Sequence, residues 1–254
     1  ISLDPEEVFW GTASMSRVSE RLRWERLGRA AQAPSCRAIL DRYAAGERLH
    51  AYDGYADFGH VAPEWEDILG LGLWGLRERA LRASNPGKEA FYTAIEASYQ
   101  GLFFLMERMA GEAERLCPEN RPMREGLRHL TGAAPSSLLE AMQTMLIYYD
   151  AVMAEGTVCR TFGRLDQLLY PFYQRDIASG ALDRAQAEGL IACFLKKLNG
   201  YRVPANIPFA LCGKKDGKAV ANELSYLILE AFLKLRAPYV KLHFLYAEDT
   251  PEDI

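Results

Sequence analysis

The chain has 254 residues, 49% of them apolar and 25% charged, with a formal net charge of -4. That balance belongs to a folded globular protein and excludes collagen-like, low-complexity and disordered material. The sequence pI near 5.7 offers no basic footprint for nucleic acid, and no apolar run reaches the ~18 residues that a membrane span requires.

Helical periodicity dominates the chain from residue 64 onward. Residues 64–82 place Trp65, Leu69, Leu73, Leu76 and Ala80 on one stripe. Pro63 stands at the start, where its missing N–H costs nothing. Residues 89–116 repeat the stripe through Phe91, Ile95, Leu102, Leu105, Met109 and Leu116. Residues 137–154 open with the box Ser137-x-x-Glu140 and continue through Met142, Met145, Tyr149 and Val152. Residues 184–199 follow Asp183 and Gln186, a second start signal, and bury Leu190, Ile191, Phe194 and Leu198. Residues 221–235 carry Leu224, Leu227, Ile228, Ala231 and Leu235 and stop before Pro238. Residues 239–246 (YVKLHFLY) alternate with period two and read as a strand, with a shorter extended piece at Ile207–Leu211. Segments 155–166 and 200–220 are rich in glycine and turn residues and read as connections. The expected class is therefore α/β and predominantly helical. So few strands cannot close a sheet, so strands from outside this stretch are expected to complete it.

The cysteines, Cys36, Cys117, Cys159, Cys193 and Cys212, form no C-x-x-C pair. An odd, unpatterned set points to reduced thiols in the cytoplasm rather than to disulfides or zinc. His50, His60, His129 and His243 are equally dispersed, so no metal constellation is visible. Residues 1–10 carry acids where the basic region of a signal peptide would stand.

Three ordered stretches carry a family resemblance. The first is Gly59-His60-Val61-Ala62-Pro63-Glu64-Trp65-Glu66-Asp67-Ile68-Leu69, followed by Gly72-Leu73. The second, and the most specific, is Phe162-Gly163-Arg164-Leu165-Asp166-Gln167-Leu168-Leu169-Tyr170-Pro171-Phe172-Tyr173, with Asp176-Ile177 after it. The third is Asp216-Gly217-Lys218, then Asn222-Glu223-Leu224-Ser225-Tyr226 and Leu229-Glu230-Ala231. Together they resemble glycyl radical enzymes of the pyruvate formate-lyase and diol-dehydratase type over roughly residues 50–254. Residues 1–50 are an unassigned helical lead-in.

The resemblance implies part of a ten-stranded α/β barrel, roughly the first half-barrel with its outer helices. It implies a backbone glycyl radical, installed by a radical S-adenosylmethionine iron–sulfur activating enzyme. That radical passes to a cysteine whose thiyl takes a hydrogen atom from a small polar substrate. A dry barrel interior suits such chemistry because it shields reactive intermediates. The family's G-C-x-E and R-V-x-G-Y loops are not found in these residues: no cysteine is preceded by Gly and followed two positions later by Glu. Asn199-Gly200-Tyr201-Arg202 has the wrong order for a glycyl loop and reads as a helix end. In the family order both loops lie after residue 254, so the chain is expected to be truncated before them, to hold no catalytic residue or cofactor of its own and to be inactive alone.

The function implied is that of a lyase cleaving C–O, C–N or C–C bonds, with formate C-acetyltransferase activity and a non-catalytic helical relative as the alternatives. The partners implied are the substrate, the activating enzyme and possibly a second copy of the chain, with no nucleic acid and no membrane. Five residues are candidates for substrate contact. Cys159 and Arg160 stand just before the G-R-L-D run, where dehydratases often carry a His-Ser pair, and Arg160 has the fork to hold a carboxylate. His60 lies in the first motif. Phe209 lies on the extended piece before Gly213, and packing alone would also explain it. His243 shares one strand face with Lys241. Either that face or the face of Val240, Leu242 and Phe244 lines the cavity. Arg164 and Asp166 are expected to form a structural ion pair or a helix cap.

Overall fold

The computed structural model describes residues 8, 9, 38, 41, 42, 60–154, 158, 159, 161–201 and 207–254. In chain order the elements are β1 (His60–Val61), α1 (Trp65–Arg82), α2 (Glu89–Leu116), α3 (Arg121–Leu130), α4 (Leu138–Ala154), β2 (Val158–Cys159), α5 (Leu165–Ser179), α6 (Arg184–Gly200), β3 (Ile207–Cys212), β4 (Lys214–Lys215), β5 (Lys218–Ala219), α7 (Glu223–Leu235) and β6 (Val240–Leu245). The protein is helix-rich α/β, as its periodicity predicts.

Local signals set the boundaries. Asp183 and Gln186 form a reciprocal capping box at the start of α6, each side chain accepting the other's backbone N–H at 2.8 Å. Asn222 and Ser225 do the same at α7. At α4 the box is displaced by one residue: Ser137 Oγ accepts from Glu140 N, while the Glu140 carboxylate accepts from Ser136 N. Helix α5 ends at Gly180 in the left-handed region, where a side chain would be strained. Helix α3 lies outside the sequence-derived stripes; Asn120 caps it, accepting from Met123 N.

The strands are parallel except for the β4–β5 hairpin. β1 pairs with β2, and β3 pairs with β6 in unbroken register from Ile207↔Val240 to Cys212↔Leu245. On the other side of β3 runs the segment 162–164. Phe162 N donates to Pro208 O at 2.9 Å, Ala210 N donates to Gly163 O at 2.7 Å, and Arg164 bridges Ala210. Each parallel step is joined by helices, as parallel pairing requires. Ile207, Phe209 and Leu211 are buried in the helical core with Val240, and Leu242 packs against it. The alternate positions, Pro208 and Ala210 of β3 and Lys241 and His243 of β6, are partly or fully exposed. Period-two alternation thus gives the sheet one face under helices and one open face. β6 forms an edge among the described residues, with Phe244, Leu245 and Tyr246 exposed along it.

A second core joins α1, α2 and α3 through Leu73, Phe103, Met106, Met109, Met123 and Leu127. Its link to the main core passes through a kink in α1 at Gly72, which has φ 65 and ψ 172. A Cβ there would lie 2.7 Å from the Ala134 Cα, a backbone atom that cannot swing aside. Gly72→Ala combines a glycine-only backbone conformation with a clash and is expected to cost ~2–5 kcal/mol. Thermal unfolding would show it, and an unchanged midpoint would refute the packing argument.

Candidate functional site

The three motifs converge on one place. Trp65 of the first motif donates its indole N–H to Thr161 O at 3.0 Å and stacks on Phe162 of the second, ring centroids 5.5 Å apart. Gly163 (φ 68) makes the turn between them, and a Cβ on it would meet Trp65 at 3.1 Å and Leu168 at 3.0 Å. Asp166 then ties the second motif to the third. Its carboxylate is fully buried. It accepts from Cys212 N (2.9 Å), Ser225 Oγ (2.5 Å), and Gln167 N and Nε2 (2.8 and 3.1 Å). Its backbone oxygen accepts from Asn222 Nδ2. The end of β3, the start of α5 and the start of α7 therefore meet on one carboxylate, at a helix N-terminus that favours negative charge.

Arg164 does not pair with Asp166. Its Nη1 donates instead to Lys214 O at 3.1 Å, which holds the β4–β5 hairpin against the sheet. The expected ion pair is replaced by two separate structural roles, because four neighbouring donors already occupy the Asp166 oxygens. Cys212, whose N–H is one of those donors, takes a left-handed φ of 63. It is buried, and burial raises its thiol pKa, with the Asp166 charge adding to the effect. Such a thiol is a poor nucleophile.

A matching cap sits at the far end of the second motif. Asp176 Oδ2 accepts from Leu138 N at 2.7 Å, fixing the start of α4 to α5, and Arg175 Nη1 holds Ser136 O beside it. Burial raises the Asp176 pKa, against the lowering effect of that backbone hydrogen bond.

The candidate substrate residues fall at different places around this scaffold. His60 lies on β1 in register with Val158, and Cys159 lies on β2 in register with Val61, which puts the two on neighbouring strands. Arg160 lies outside the described residues. Phe209 is fully buried on the helix side of β3 and packs edge-on against Phe232 of α7, centroids 5.9 Å apart. His243 is exposed on the open face of β6, in register with Ala210, and Lys241 shares that face in register with Pro208. Sequence reasoning left open which face of β6 meets the helices; Val240 and Leu242 do.

A family model described as pyruvate formate lyase-like matches residues 46–254. The chain belongs to that family. It is 32% identical over 240 residues to the 4-hydroxyphenylacetate decarboxylase glycyl radical subunit of Clostridioides difficile, a match covering 78% of this chain and 27% of that protein. It is 28% identical over 135 residues to the trans-4-hydroxy-L-proline dehydratase of the same organism, covering 46% and 17%. Among solved structures, a glycyl radical enzyme from Archaeoglobus fulgidus superposes with TM-score 0.69 at 24% identity, over 77% of this chain and 29% of that one. The glycerol-bound B12-independent glycerol dehydratase of Clostridium butyricum gives 0.68 at 21% identity, over 79% and 29%. The fold is thus that of one part of glycyl radical enzyme structures, and the chain spans under a third of the length of these relatives.

One buried acid was missed by motif reading. Asp150, near the end of α4, accepts from Tyr201 OH at 2.7 Å through Oδ1, while Oδ2 has no hydrogen-bond partner among the described residues. Burial raises its pKa from 3.8 to about 7, against the lowering effects of Tyr201 and of the Lys197 charge.

Two predictions follow from these carboxylates. Asp166→Ala leaves Cys212 N and Ser225 Oγ buried without their acceptor, so it is expected to cost ~3–5 kcal/mol. That is roughly a 10 °C drop in melting temperature at the ~2–4 °C per kcal/mol typical of this size; a drop below 2 °C would contradict the network. Asp150 has a raised folded-state pKa, so its contribution is complete below about pH 4 and is lost as the pH rises through about 7. Asp150→Asn should remove that decline, which is worth up to about 4 kcal/mol. Melting temperatures at pH 5 and pH 8 check this, and identical pH slopes in parent and variant would assign the decline elsewhere.

Proposed function

We propose that this chain is part of a glycyl radical lyase and supplies one stretch of its cavity wall. The observation that carries the reading is the parallel set 162–164, β3 and β6, with the described helices on one face and Pro208, Ala210, Lys241 and His243 on the other. Helices outside and side chains inside is the arrangement of an α/β barrel. The three motifs hold that wall in place and perform no chemistry themselves. The thiyl cysteine and the radical glycine come from sequence outside these residues, and a radical S-adenosylmethionine activating enzyme is the partner that installs the radical.

The reaction is elimination or decarboxylation of a small polar substrate, breaking a C–O, C–N or C–C bond. Relatives named as a decarboxylase and a dehydratase support this over formate acetyl transfer. His60 on β1 and Cys159 on β2 are the further candidates for substrate contact in this reading, and the parallel pairing of their strands supports it.

Anaerobic activation of the complete polypeptide that carries these residues is expected to give a doublet electron paramagnetic resonance signal and bond cleavage. The 254-residue chain alone is expected to give neither. A complete polypeptide without G-C-x-E and R-V-x-G-Y segments, or one that takes up no radical, would overturn the reading in favour of a non-catalytic relative.

A further inference from the structure

We infer that the aromatic core joining α1, α4 and α6 is a one-electron relay: an oxidising equivalent taken up at Trp65 comes to rest on Tyr201, as the Tyr201 proton passes to Asp150. The relay belongs to these residues alone. Its use, which is to discharge a stray thiyl radical, rests on the lyase reading above.

The rings form an unbroken series. Trp65 stacks on Phe162, with centroids 5.5 Å and planes 12° apart. Phe162 lies 5.3 Å from Tyr149, and Tyr149 meets Tyr201 edge-on at 4.9 Å. All four side chains are buried. Tyr148, half-buried, meets Trp65 at 5.5 Å and connects the series to the surface. Tryptophan and tyrosine give up one electron readily and phenylalanine does not, so Phe162 is the bridge between Trp65 and Tyr149. A single intervening ring is a short distance for electron tunnelling. Burial of aromatic surface explains the packing of these rings, but not the base placed at one end of them.

The two ends differ in where a proton can go. A phenol that loses an electron becomes a strong acid and releases its proton to the nearest base. Tyr201 OH donates to Asp150 Oδ1 at 2.7 Å, in a buried pair. Burial raises the Asp150 pKa to about 7, against the effects of Tyr201 and of the Lys197 charge on α6. Its carboxylate is therefore a stronger base than an exposed one. At the other end the Trp65 indole N–H donates to Thr161 O, a backbone carbonyl that cannot take the proton. An oxidised Trp65 keeps its positive charge inside an apolar core, which is costly. The oxidising equivalent therefore leaves Trp65 and settles on Tyr201. With a thiyl radical as oxidant, the sulfur gains the electron and becomes a thiolate. Tyr201 loses an electron and a proton to become a neutral phenoxyl, and the Asp150 carboxylate becomes a carboxylic acid. No new charge is left in the core.

Pulse radiolysis of the 254-residue chain with azide radicals tests the relay without substrate or activating enzyme, so its outcome is separable from that of the lyase test. Azide radicals oxidise tryptophan by one electron. The tryptophan-radical absorption should convert into that of a tyrosyl radical in a first-order step, at a rate independent of protein concentration. Tyr201→Phe should slow this step at least threefold, and the shape-conserving Asp150→Asn should do the same. Deuterium oxide should slow it too, because a proton moves with the electron. Tyr226 OH donates to Asp253 Oδ1 at 2.9 Å, a tyrosine–carboxylate pair on the surface and outside the ring series. Tyr226→Phe should therefore leave the rate unchanged. Tyr201→Phe and Asp150→Asn are independent, so one that fails to fold leaves the other to decide. No first-order conversion, an unchanged rate in a folded Tyr201→Phe or Asp150→Asn protein, or equal slowing by Tyr226→Phe would overturn the inference.

Discussion

A single buried carboxylate holds the strand-bearing part of this protein together. Asp166 receives four hydrogen bonds from the end of β3, the first turn of α5 and the first turn of α7, and no cation shares its site among the described residues. A carboxylate taken fully out of water tolerates no missing partner. Its four donors therefore require the two strand–helix junctions to sit at one relative position. Trp65 extends the same constraint to the first motif by closing on Thr161 and Phe162. The sheet register, and with it which residues face outward, follows from where these junctions are fixed.

The helices were legible because their faces repeat over many residues. α1, α4, α6 and α7 follow stripes that periodicity picks out. α2 is helical as expected, but its buried seam runs through Phe103, Met106, Met109, Ala110 and Ala113 while Phe91 is exposed. β6 keeps its alternation only through Val240 and Leu242. β1 and β2 are two residues long and carry no period to detect. α3 is short, has a proline in its first turn and a glycine inside, and so lacks a stripe of adequate length. The convergence of the motifs was invisible for a different reason. Asp166 reaches partners 46 and 59 residues away, and nothing local in Cys212 or Ser225 announces a shared acceptor. The expected Arg164–Asp166 pair arose from proximity in sequence, while the fold turns one side chain into the core and the other onto the hairpin.

The candidate wall shows a similar division. A period of two says that Lys241 and His243 share a face but cannot say which face the helices cover. That choice is made by Val240 and Leu242 packing into the core beside Phe209, whose ring lies against Phe232. The same alternation that sends Phe209 under the helices sends Pro208 and Ala210 to the open side. Two small residues there, with Lys241 and His243 on the adjoining strand, make a polar surface rather than an apolar one.

The division of labour between the two faces explains how the motifs can be specific without being catalytic. Asp166, Asp176 and Trp65 are spent on backbone and side-chain donors within the fold, and Cys212 is buried with a raised pKa. None of these groups is left to act on a substrate. Lys241 and His243 stand on the face of the β3–β6 sheet that the described helices do not cover. In the reading proposed above, the chemistry is supplied from opposite the open face, and these residues contribute a wall against which a substrate is oriented.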